Sequence, residues 1–225
     1  MEELKNPHDQ PLIISYLTLR KAIGILGITL PAILWIGSLL LGNCDHIQAS
    51  VSHYYYTIMG DVFVGILCAV AIFLLSYKGY DKLDNITSNA AGVFALCIAF
   101  FPTSSNTDIL CSILQLSDNE VRIYAHFILA ALFFCTLAFI SIFLFTKSSG
   151  HKTPEKIMRN KVFRICGVVI LVSIFLIFLT DNVSWLANKL TKYNPVFWLE
   201  WCALAAFGIS WLTKGELLLA DKPQK

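Results

Sequence analysis

The chain has 225 residues, 56% of them hydrophobic and 14% charged. Soluble domains carry about 25% charged residues, so this deficit excludes an ordinary soluble protein and points to a membrane. The formal net charge of +2 gives no ground for a nucleic-acid partner, and none is expected.

The predicted elements follow from apolar runs, given that about 20 apolar residues cross a bilayer. Residues 1–21 are polar, with Pro7, His8, Asp9 and Pro11, and are expected to be a cytoplasmic segment rather than a secretory signal. Six spans are then predicted, from Ala22 to Leu41, Ile58 to Tyr77, Ile86 to Phe101, Tyr124 to Phe145, Val162 to Thr180 and Val196 to Thr213. Pro31 should bend the first span, and Pro195 opens the sixth in the first-turn position that proline favours. The expected fold is all-α: a polytopic integral membrane protein with one six-helix bundle over 22–213 and a cytoplasmic tail over 214–225.

Charge sets the orientation. Fourteen of the 17 cations, including Lys5, Arg20, Lys21, Lys78, Lys82, Lys152 and Lys214, fall on one side, and Arg122, Lys189 and Lys192 on the other. The positive-inside rule therefore places both termini in the cytoplasm, in a bacterial inner membrane, with loops 42–57, 102–123 and 181–195 outside. Of seven cysteines, only Cys44 and Cys111 lie in loops, both on that outer side. Oxidising compartments preserve disulfides, so the two either bridge the first outer loop to the second or stay as two thiols.

The candidate chemistry begins at Ser52-His53-Tyr54-Tyr55-Tyr56-Thr57, ahead of Gly60-Asp61. A helix starting near His53 would put His53, Thr57, Asp61 and Gly65 on one face. Asp61, His126 and Glu200 all fall about one turn inside the outer ends of their spans, with Arg122 a turn above His126. One reading is an outward-opening polar pocket of Ser52, His53, Tyr55, Asp61, Arg122, His126 and Glu200, since ionisable groups at that depth mark functional sites. The other is that these groups satisfy one another and fix helix register. The inner half offers little beyond Ser88 and Asn89.

Two family resemblances bear on this. Ser52, His53 and Asp61 superficially resemble the first ligands of the alkaline ceramidase and adiponectin receptor superfamily, which implies intramembrane zinc. That family's late histidine pair is missing, because no histidine follows His151. The chain better resembles six-span proteins of the DRAM, Sfk and FGF-receptor-activating type, in their bacterial branch. That resemblance rests on span number, Ser52 to Tyr56 before Gly60-Asp61, Phe101-Pro102-Thr103, His126, and Phe207 to Trp211 with Lys214-Gly215-Glu216. It implies the fold but no activity.

The expected role is a multi-pass membrane protein that binds a lipid, a small ligand or a membrane partner through the outward pocket. Its expected partners are membrane lipids and such a ligand; no protein partner is specified, and no metal or other cofactor is expected. The alternative is a metal-dependent intramembrane lipid hydrolase using His53, Asp61, His126 and Glu200, so whether the chain is an enzyme stays open.

Overall fold

A computed structural model describes residues 9–105, 109–147 and 153–219, with side chains from Tyr16 onward. Residues 1–8 and 220–225 of the two expected terminal segments, and Lys152 of the basic loop, lie outside the described residues. Every regular element among the described residues is helical: α1 (Asp9–Gly42), α2 (Gly60–Ser76), α3 (Lys82–Phe100), α4 (Glu120–Phe139), α5 (Pro154–Asn182), α6 (Ser184–Leu190) and α7 (Pro195–Lys214). Ser52–Tyr56 forms a 3₁₀ turn, and Ile140–Leu144 continues α4 as a π-helix.

Local chemistry explains most boundaries. α1 ends at a left-handed Asn43, and the Cys44 N–H reaches back 3.2 Å to the Ser38 carbonyl, satisfying one of the helix's last carbonyls. Asp81, Asn119 and Thr153 cap α3, α4 and α5 by accepting from the N–H of Asp84, Arg122 and Lys156. Pro154 and Pro195 occupy the first turns of α5 and α7. Pro31 lies inside α1, whose helix runs unbroken past it.

Five helices are long and apolar enough to cross a membrane, namely those over Tyr16–Gly42, Lys82–Phe100, Glu120–Leu144, Pro154–Asn182 and Pro195–Lys214. The helix expected as the second span, α2, has 17 residues, shorter than the Ile58 to Tyr77 run, because Ile58 and Met59 lie in the turn before it. The first helix starts well before Ala22, and the outer loop at 181–195 folds into α6 and a 3₁₀ turn.

The helices pack as a ring in chain order, α1 on α2, α2 on α3, α3 on α4, α4 on α5, α5 on α7 and α7 back on α1. The seam between α1 and α7 is set by glycines. A Cβ on Gly24 would stand 2.8 Å from the Gly208 carbonyl oxygen, and one on Gly208 would stand 2.5 Å from that of Gly24. Backbones this close are characteristic of small-residue helix packing in membranes. The ring has two distinct ends. One is a loop-built cap; the other gathers the start of α1, the end of α7 and the α2–α3 and α4–α5 turns, and is rich in cations.

Candidate functional site

The cap is organised by residues 43–59. Cys44 and Cys111 are at disulfide distance, 5.9 Å between Cα atoms and 67 residues apart in sequence, and join this segment to the loop before α4. Backbone bonds reinforce the join: the Tyr56 carbonyl accepts from the N–H groups of Ile113 and Leu114 at 2.9 and 3.2 Å. The Gln48 side chain donates to the Leu110 carbonyl at 2.6 Å. Toward α7, the Ala49 carbonyl accepts from the Phe197 N–H at 3.1 Å, and the Ile47 carbonyl accepts from the Asn194 amide at 3.0 Å. The first of these satisfies an N-terminal N–H that α7 cannot satisfy itself.

Within the cap, Ser52 and His126 meet. The His126 Nδ1 is 2.7 Å from the Phe101 carbonyl oxygen, which can only accept, so Nδ1 carries the hydrogen. In the neutral ring Nε2 is then an acceptor, and it lies 3.2 Å from Ser52 Oγ, whose hydroxyl donates to it. Three segments distant in sequence are thus pinned by one buried imidazole. Tyr56 adds a parallel tie, its hydroxyl donating to the Thr103 carbonyl at 2.6 Å.

The other expected site residues are placed as follows. His53 sits on the same 3₁₀ turn with Nδ1 3.0 Å from Ser50 Oγ. Burial, with the neighbouring His126, lowers its pKa to about 4, so it is neutral at physiological pH. Tyr55 is half-buried and lies edge-on to Tyr56, with 5.2 Å between centroids. Arg122 reaches Asp118, in the loop just before α4, at 3.4 Å, and its buried Nε has no acceptor. Glu200 accepts from the Val51 N–H at 2.5 Å, tying α7 to the residue before Ser52.

Asp61 stands apart. The expected stripe of His53, Thr57, Asp61 and Gly65 does not form, because Thr57 is extended and separates the 3₁₀ turn from α2. In α2 the buried face is Gly60, Phe63, Leu67, Val70, Ala71 and Leu74, and Asp61 lies about 100° round from Gly60, exposed. Its place in the first turn suits a carboxylate, since the helix N-terminus favours negative charge. Asp61, His126 and Glu200 therefore do not share one contact set. No group of three or more His, Cys, Asp or Glu side chains among the described residues is placed to hold a metal ion.

Sequence reading missed the hydroxyl-rich turn after α3. Ser104 Oγ and the Ser105 N–H and hydroxyl all bond the Asp118 carboxylate, at 2.6, 2.9 and 3.0 Å. The run Thr103-Ser104-Ser105 after Pro102, with Asp118 ahead of α4, was the available signal. Asp118 is thereby fixed where its carboxylate also accepts from the Arg122 guanidinium at 3.4 Å.

No protein-family model, no curated protein and no solved structure matches the chain.

Proposed function

We propose that the chain is a six-span membrane protein of the bacterial inner membrane, related to DRAM- and Sfk-like proteins, whose outer cap binds a lipid head group or a small polar ligand. Support for the sixth span is that α2, at about 1.5 Å per residue, reaches some 26 Å and closes the ring between α1 and α3. The excess of cations at the other end supports cytoplasmic termini. The Cys44–Cys111 pair lies on the cap, where an external, oxidising location would preserve it.

One observation carries the binding reading. Ser52 and His126 are held by hydrogen bonds, and Arg122, one helical turn before His126 on α4, has a buried Nε that lacks an acceptor. A buried donor without a partner is costly, and a ligand oxygen there would remove the cost. With Arg122 already facing Asp118, the cap suits hydroxyl or ester oxygens better than a full anionic charge.

A lipid hydrolase is the second reading, favoured by the same hydrogen bond. A serine hydroxyl donating to an imidazole whose far nitrogen is fixed is the geometry general-base activation requires. Native mass spectrometry of protein extracted in mild detergent tests the binding reading. Wild type is expected to carry a defined adduct that Ser52→Ala loses by about tenfold in occupancy. Equal adducts in both, or none in wild type, would contradict it. Covalent capture of a fluorophosphonate probe on Ser52 would select the hydrolase.

A further inference from the structure

At the basic end, five elements converge on Lys214, the last residue of α7. Lys214 is only 9% exposed, and its ammonium lies 4.8 Å from the Tyr80 ring centre and 5.2 Å from that of Phe145. No described residue accepts a hydrogen bond from it or forms an ion pair with it. Beside it, the Arg20 guanidinium stacks 4.6 Å over Tyr16 and 5.5 Å from Tyr77, donates to the Lys214 carbonyl at 3.3 Å, and keeps a buried Nε without an acceptor.

The surroundings add positive charge. Arg20, Lys156 and Arg159 are near enough to repel the Lys214 ammonium, and Asp84 opposes them. Asp84 is already engaged, because its carboxylate and that of Asp81 hold Lys147 at 2.6 and 2.8 Å, and Asp84 also accepts from the Tyr80 N–H at 2.8 Å. Lys147 is held above the usual lysine range by those two carboxylates, and the Asp81 carboxyl lies below its own. Lys156 and Arg159 donate to the carbonyls of Phe145 and Leu219 at 3.3 and 3.4 Å.

The α7 C-terminus favours a cation at Lys214. Arg20 of α1, half-buried, brings a second cation to the same helix end. Like charges brought together in an aromatic, poorly solvated setting repel strongly, and an anion between them removes the repulsion. An ammonium with three donors and a guanidinium Nε–H are suited to tetrahedral oxyanions.

We propose that the cluster of Arg20 and Lys214 with Tyr80 and Phe145 binds a phosphate group. Two sources share this chemistry, the phosphodiester of a lipid in the adjoining leaflet and free inorganic phosphate. A basic cluster at helix ends suits the first, and the Tyr80 and Phe145 rings beside Lys214 suit the glycerol and first acyl carbons. The inference is independent of the cap, since no residue is shared.

The test uses the full chain in an uncharged detergent, with thermal unfolding followed on adding inorganic phosphate against chloride at equal ionic strength. A second arm adds phosphatidylglycerol against a phosphate-free neutral glycolipid. A rise in Tm with inorganic phosphate identifies free phosphate; a rise of several degrees confined to phosphatidylglycerol identifies the lipid. Either response should weaken about tenfold in apparent affinity in Lys214→Gln and persist in Lys214→Arg. Arg20→Gln serves as the second variant where Lys214→Gln fails to fold, and should weaken the response likewise. The proposal is overturned when wild type responds to neither phosphate source, or when Lys214→Gln and Arg20→Gln respond as wild type does.

Discussion

Reducing the Cys44–Cys111 bridge, or replacing Cys44 by serine, is expected to cost about 2–4 kcal/mol and to loosen the whole cap. The upper figure is the loop-closure estimate for a 67-residue separation. The lower allows for an unfolded chain already restrained by the bilayer. The loss should spread beyond the two sulfurs, because the segment they anchor also holds Glu200, the α7 N-terminus and Ser52. Amide exchange should therefore rise at Val51, Phe197 and Ile113 together in the reduced protein, while α5 stays protected. Exchange confined to 109–114 would show that the cap is not one cooperative unit.

Gly208→Ala should be a highly damaging single methyl addition on the α1–α7 seam. The new Cβ meets the Gly24 carbonyl oxygen at 2.5 Å and also the Ile28 side chain. Ile28 can move, but helix backbone cannot, so α7 must separate from α1 along its length. Overpacking costs typically about 1–3 kcal/mol, and a backbone opponent puts this case at the upper end. Gly208→Leu should fail to fold. Gly65→Ala supplies the control: nothing lies within 4 Å of the added Cβ, so it should be neutral or stabilise α2 by about 0.5–1 kcal/mol. Thermal unfolding in a single detergent measures both, and a Gly208→Ala protein as stable as Gly65→Ala would refute the close α1–α7 crossing.

Helices were legible in the sequence where long apolar runs meet caps and prolines, as at Pro195 and Pro154. The Ser52–His126 meeting was half legible. Depth placed His126 near the segment that carries Ser52, but no periodicity reveals that Thr57 breaks the chain and turns Asp61 away. Glu200 was read as a partner for charged side chains; it instead accepts a backbone N–H, a role invisible to residue-type reasoning. The basic end was read only as a topogenic excess of cations, and the inner half as offering little beyond Ser88 and Asn89, because the cluster's members, at Tyr16, Arg20, Tyr77, Tyr80, Phe145, Trp211 and Lys214, are scattered over almost the whole chain. Each looks like an ordinary belt aromatic or topogenic cation until the ring of helices closes.

Both site proposals depend on which end faces which compartment, and this is measured most directly by labelling single cysteines on intact cells. Glu120 is exposed at the cap and Lys82 is exposed at the basic end. With an impermeant maleimide, Glu120→Cys is predicted to label in intact cells and Lys82→Cys only after the membrane is permeabilised. Labelling of Lys82→Cys in intact cells, with Glu120→Cys protected until permeabilisation, would contradict the account.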